Sequence, residues 1–333
     1  MTKSLFLSLL IIFSIVNFIN ANSLNILTDK FDPTIKQIFK DYEEKTGIRI
    51  SVNEIDRNIF KKIENSNVDL ILTNNSSKII TAKFIGLLQP INDNILSNVD
   101  VKYKDIDKQW LNISYRLRTF FVQKDESIYP TTYKELSNSQ YKDKICVRNL
   151  YHSDNLDLFT HLFINMGKKK FKKWFNGFKS NLSMNPIGDD TTQFKYIYNN
   201  KCKIAISNTN TYGLLFENTE QKKLVKNTFL ILPEQFSNKK LEGIIPIYSG
   251  IGISKKSNNV KESNDFISYL LSEEVQQKLI DFNFEHSVTL SNNSKVFKSF
   301  GLKQNMVFKD ISINHFNQNN ITDLKSKVYQ IIN

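Results

Sequence analysis

The 333-residue chain sets 45 Lys and Arg against 33 Asp and Glu, a formal net charge of +12, and is 40% hydrophobic. That hydrophobic share supports a sizeable core and excludes a disordered chain, and the length suits two lobes or domains. Ten Gly, four His and two Cys, with no G-x-S-x-G elbow, no phosphate-cradling glycine loop and no H-E-x-x-H, leave little for a nucleotide site or an enzyme.

The elements begin after an address. Lys3 gives a positive start, Leu5 to Val16 is apolar apart from Ser8 and Ser14, and Ile19-Asn20-Ala21 offers a small residue for cleavage. The run has the length of a signal peptide, residues 1–21, and is short for a membrane span; the alternative is an uncleaved anchor. No cysteine follows it, which argues against a lipoprotein. Nothing further along is long and apolar enough to span a bilayer.

Leu24 to Leu27 predicts a strand. Asp32 and Pro33 predict a helix start, with Ile35, Ile38, Phe39 and Tyr42 on its inner face and Gly47 at its end. Ile48 to Val52 alternates as a second strand, a helix is expected over 58–65, and Val68 to Thr73 reads as a buried parallel strand. This rhythm implies a parallel sheet with right-handed crossovers. A helix from Lys78 to Phe84 follows. Ser114 to Val122 reads as a strand crossing to a second αβ series, and Ile244 to Ile253 as the strand crossing back. The second series comprises a strand at 145–148, helices over 155–166 and 168–180, and a strand at 203–207. One helix from Glu262 to Asn283 is expected, then a polar tail and a last helix from Thr322 to Ile332.

The basic run Lys168 to Lys173 reads as the solvated face of a helix whose Phe171, Trp174, Phe175 and Phe178 face the core. No recognition module surrounds it, so nucleic acid is not an expected partner. Cys146 and Cys202 each sit at a strand-like segment. An even count in an exported chain favours one disulfide, the alternative being two buried thiols.

Two αβ series joined by two crossing strands predict an α/β, bilobal, hinged fold. The expected lobes are 22–118 with 249–333, and 119–248. Clefts of this kind bind ligands at strand ends and helix N-termini.

Several segments, in order, resemble one family. They are Gly86-Leu87-Leu88-Gln89-Pro90, Trp110 followed by Arg116-Leu117-Arg118, and Lys144-Ile145-Cys146-Val147-Arg148. Then come Trp174 to Asn181 (W-x-x-G-x-x-x-N), Gly188-Asp189-Asp190-Thr191-Thr192-Gln193, Ser249-Gly250 and Asn283-Phe284-Glu285-His286-Ser287-Val288. Asn208-Thr209-Asn210-Thr211-Tyr212-Gly213 resembles the strand-and-turn that carries adjacent iron-binding tyrosines. The chain thus resembles the ferric-binding, iron-deficiency-induced branch of periplasmic solute-binding proteins.

The resemblance implies a type II-like bilobal fold, a periplasmic location, and a likeness to monomeric components of ABC importers that deliver ferric iron or a ferric chelate to an inner-membrane permease, in some cases with a synergistic anion. It also exposes departures. The adjacent tyrosine pair falls on Asn210 and Thr211, a further family tyrosine on Asp154, and the first-lobe His-Tyr pair near Lys30 and Phe31. Ferric ion prefers charged oxygen donors, so a shifted site of His152, Asp154 and Tyr212 is one expectation. The ordinary roles are a loop histidine, a helix N-cap and a packed aromatic. The competing expectation is a basic cleft of Arg116, Arg118 and Lys30, with Arg148, in which Asn210 and Thr211 also meet the ligand, and which binds a small oxyanion or organic acid, the forked guanidinium suiting carboxylate or phosphate.

Overall fold

A computed structural model describes residues 23–54, 60, 63–64, 66–233, 243–290 and 321–333. The signal segment, most of the helix expected over 58–65 and the polar tail up to 320 lie outside the described residues.

The first series is as the sequence predicts: strand β1 (Ser23–Thr28), helix α1 (Pro33–Thr46), strands β2 (Arg49–Glu54) and β3 (Leu70–Thr73), and helix α2 (Ser77–Phe84). Helix α1 starts where Asp32 Oδ1 accepts the Ile35 N–H at 3.0 Å and Pro33 fills the first turn. It stops at Gly47, whose φ of 72° suits a residue without a Cβ. Strand β1 pairs parallel with β2 and β3. Short strand β4 (Leu88–Gln89) and helix α3 (Asp93–Leu96) lead to a long strand, β5 (Trp110–Gln123).

The second series holds β6 (Ile145–Val147), α4 (Ser153–Met166), α5 (Lys168–Ser180), α6 (Asp190–Tyr198), β7 (Ile204–Asn208), α7 (Thr209–Glu217), α8 (Lys223–Lys226) and β8 (Thr228–Ile231). Strand β9 (Ile245–Ser254) returns, followed by α9 (Val260–Leu270), α10 (Glu273–Phe282), β10 (His286–Ser287) and α11 (Ile321–Ile332). The single helix expected over 262–283 is two. Ser272 Oγ accepts the Val275 N–H and Glu273 and Glu274 follow it, a second N-terminus that restarts the helix.

One sheet runs β2-β1-β3-β9-β5-β7-β6. Its two middle strands are the predicted crossings, antiparallel to each other from Trp110 opposite Gly252 to Arg118 opposite Ile245. Each serves two cores. Leu111 and Ile113 of β5, with Ile251 and Ile253 of β9, pack with α1, α9 and α10. Phe120 and Val122, with Ile245 and Ile247, pack with α4 and α5. The fold is therefore bilobal, with the crossing strands as its shared floor.

Helix α5 buries Phe171, Trp174, Phe175 and Phe178 and leaves its lysines exposed, as expected. Cys146 and Cys202 form a disulfide with Cα atoms 5.8 Å apart. Parallel pairing of β6 with β7 brings the two segments together. Helix α11 joins two clusters: Val328 and Ile332 the α4–α5 core, Ile321 a separate cluster under α2. No helix among the described residues is long and apolar enough to cross a membrane.

Candidate functional site

A polar cleft of about 440 Å³ opens where the crossing strands pass between the lobes. The first lobe lends it Asp29, Asp32, Asn74 and Lys78, all from segments just past strand ends. The second lends the starts of three helices: His152 to Asp154 before and in α4, Asp189 to Thr191 at α6, and Asn208, Asn210, Thr211 and Leu214 at α7. Arg116 and Arg148 reach it, with Asn283 and Glu285 below. The position is the expected one, at strand ends and helix N-termini.

Asp154 sits in the first turn of α4, almost fully buried. Arg116 grips it with Nη2 at 3.0 and 3.1 Å, and Asn208 Nδ2 donates at 2.7 Å. Burial alone would raise the pKa of this carboxyl, but Arg116, with His152 and Arg118 further out, holds it far below the usual carboxylate range. It is an anion fully consumed by its partners. Nor does it cap the helix. His152 does, its Nδ1 accepting the Asp154 N–H at 3.2 Å. Burial, helped by Arg148 and Arg118 and opposed by Asp154, pulls His152 down to about 4, so it is neutral at pH 7.

The three cations expected to face an anion are internal instead. Arg118 is fully buried. It donates to Asp190 at 2.9 and 3.0 Å, to Asn208 Oδ1 at 3.1 Å and to Asn155 Oδ1 at 2.6 Å. Lys30, also fully buried, meets Glu285 at 2.5 Å, and Glu285 further accepts from Asn283 and Ser114. Arg116 is taken by Asp154 and by the Asn74 carbonyl at 2.8 Å. The basic cleft is therefore corrected. A buried guanidinium or ammonium is tolerated only with a carboxylate beside it, and each of the three has its own. Arg148 remains nearer the surface, 3.5 Å from Asp190.

The iron trio is not brought together either. Tyr212 points away from the cleft into an aromatic cluster. It stacks on Phe121 with centroids 5.1 Å apart and on Phe216 at 6.2 Å. Burial pushes its phenol up, away from the phenolate a ferric ion needs. The ordinary reading of this residue, a packed aromatic, is what the structure shows. Its neighbour Gly213 is no turn residue but lies within α7, where a Cβ would fall 2.3 Å from Phe284 Cγ. Asn210 and Thr211 do line the cleft, where the family's tyrosine pair is expected. All thirteen tyrosines of the chain fall within the described residues, and none lines the cleft.

Asp190, Asn208 and Glu285 were missed as site residues. A signal existed for one of them, Asp190. Two arginines on one face of an interior strand need two buried acids, and an acid at a helix start, such as Asp190, is well placed. Glu285 carried no such mark, because it reaches Lys30 from a segment 255 residues away.

Known proteins share this chain's family and fold. The model of the family described as bacterial extracellular solute-binding protein matches residues 27–277. Iron uptake protein A1 of Synechocystis is 26% identical over 276 residues, 80% of this chain and 75% of that protein. Ferric binding protein from Campylobacter jejuni superposes with a TM-score of 0.84 at 27% identity, covering 92% of this chain and 99% of that one. Ferric iron-binding protein A of Mannheimia haemolytica, in an open conformation, gives 0.80 at 26% identity, covering 93% and 98%.

Proposed function

The chain belongs to the bacterial extracellular solute-binding proteins, and we propose that it is the periplasmic component of an ABC importer for ferric iron. One observation carries the reading: near-complete, same-fold similarity to ferric-binding proteins, in a chain with a polar cleft between its lobes. The alternative of an oxyanion held by Arg116, Arg118 and Lys30 loses its basis, because all three charges are neutralised within the protein.

The mechanism is hinge closure. The lobes, which we assign as 22–118 with 249–333 and as 119–248, rotate about β5 and β9. The ligand stabilises the closed form by touching both. His152, Asn210 and Thr211 meet it from the second lobe; Asp154, Arg116, Arg118 and Lys30 hold the floor beneath. The monomer then presents its cargo to an inner-membrane permease and makes or breaks no bond in it.

Small-angle scattering of the iron-free mature chain with and without ferric citrate tests this. The expected outcome is a smaller radius of gyration and a rise in melting temperature. Unchanged scattering and melting across ferric complexes would refute the assignment.

A further inference from the structure

We propose that the iron enters this cleft with its coordination shell already filled by a small oxygen chelator. The protein then holds the complex through the chelator rather than through protein-to-iron bonds. This rests on the ferric reading above and narrows it.

Ferric ion is a hard acid that seeks charged oxygens. The protein's phenols are elsewhere: none of the tyrosines lines the cleft, and Tyr212 is stacked in the aromatic cluster behind it. The carboxylates that do line it are committed. Asp29 takes Lys78 and the Asn74 N–H; Asp32 caps α1 and accepts from Asn283. Asp189 caps α6 through the Thr192 N–H at 2.7 Å. Asp154, Asp190 and Glu285 each satisfy a buried cation. To ligate iron, any of them must abandon a helix end or strand a charge in the interior. His152 cannot take their place. Its Nδ1 accepts a backbone N–H, so the proton is on Nε2, which donates and does not ligate.

The cleft also carries polar groups that no carboxylate consumes. Arg148 keeps one loose ion pair at 3.5 Å and a buried Nε without a partner among the described residues, and His152, Asn210, whose Oδ1 is also without a partner there, and Thr211 line the same cleft. Such groups suit the outer oxygens of a chelate. The space fits as well. About 440 Å³ is more than ten times the roughly 30 Å³ that a water occupies in the liquid.

The test uses ligand exchange. The chelator-stripped mature chain is titrated by calorimetry with ferric citrate and with chromium(III) citrate, whose ligands do not exchange during the measurement, while the visible spectrum is followed. Both complexes are expected to bind within about threefold of each other, with no phenolate-to-iron charge-transfer band. Arg148→Gln is expected to weaken both about tenfold, and Tyr212→Phe to change neither. Circular dichroism and melting confirm that each variant is folded. Binding of ferric citrate with a new charge-transfer band, and no binding of the chromium complex, would overturn the inference and leave the ferric assignment standing. If neither complex binds, nor ferric nitrilotriacetate, the ferric assignment itself falls, and the inference with it.

Discussion

Replacing Glu285 by Gln tests whether Lys30 is an anion ligand or a structural cation. Lys30 and Glu285 are at most 2% exposed at their side chains and meet at 2.5 Å. Glu285 also accepts from Asn283 at 3.0 Å and from Ser114. The amide preserves shape and keeps an acceptor, but it leaves the Lys30 ammonium without a countercharge. Breaking a buried pair in this way costs about 3–5 kcal/mol, a large fraction of the roughly 5–15 kcal/mol that separates folded from unfolded states. Removing both charges is a different perturbation. Lys30→Met with Glu285→Met replaces the pair by apolar groups of similar volume and should lie within about 2 kcal/mol of the parent. Equilibrium denaturation of the parent, Lys30→Met, Glu285→Met and the double variant closes the cycle, with Glu285→Gln measured beside it. The double variant should also keep its ferric citrate affinity within about threefold, since neither charge is spent on the ligand. A loss below about 1 kcal/mol in Glu285→Gln, or a double variant as weak as the single, would refute the reasoning.

Further outcomes follow from other parts of the molecule. Reducing the disulfide, which spans 56 residues, should cost about 4 kcal/mol by loop-closure entropy, read as a lower denaturation midpoint in dithiothreitol. His286 is fully buried against Tyr115, and burial pulls it from 6.5 to about 3. The unfolded chain therefore binds a proton that the fold refuses, and stability should fall as pH drops from about 6.5 to 3, by up to about 5 kcal/mol. His286→Gln should flatten that slope in melts taken across the range. Below pH 4 the depressed Asp154 adds a loss of the same sign, because its stabilisation exists only above the unfolded carboxyl pKa. Gly213→Ala should destabilise by about 1–3 kcal/mol through its clash with Phe284, measured by thermal melting. Lys325 of α11 bonds Ser77 Oγ at 2.6 Å on one lobe and pairs with Asp157 on the other. Lys325→Met should therefore widen the iron-free molecule in scattering.

The architecture was legible because it is written in local signals. Asp32-Pro33 and Gly47 bracket α1, apolar runs mark β3, β5 and β9, and the order of strands and helices dictates the crossings. The break at Leu271-Ser272 was legible too, since Ser272-Glu273-Glu274 is a helix start, but the apolar spacing on either side hid it. The site was harder. Residue types near the cleft could be named, yet their roles depend on partners far away in the chain. Arg116 and Arg118 look like anion ligands until Asp154 and Asp190 are seen to occupy them, and Lys30 until Glu285 does. Sequence spacing reports which face a side chain shares; it does not report which charge across a hinge has already claimed it.

That difference decides what kind of ligand the cleft can take. Counted along the sequence, the site is rich in arginine and lysine and predicts an anion. Counted in space, Arg116, Arg118, Lys30 and Lys78 each meet a carboxylate. The floor is then close to neutral, rigid and hydrogen-bonded. A floor of fixed, satisfied pairs offers a bare ion no ligand without breaking a pair, and offers a free oxyanion only Arg148, already 3.5 Å from Asp190. A compact complex that brings both the metal and its own countercharge asks neither of the protein. It needs only shape and a few donors, which Arg148 and the starts of α4 and α7 supply. The same buried pairs that looked like binding residues therefore act one step earlier: they hold the rim in place so that closure of the lobes can be spent on the ligand.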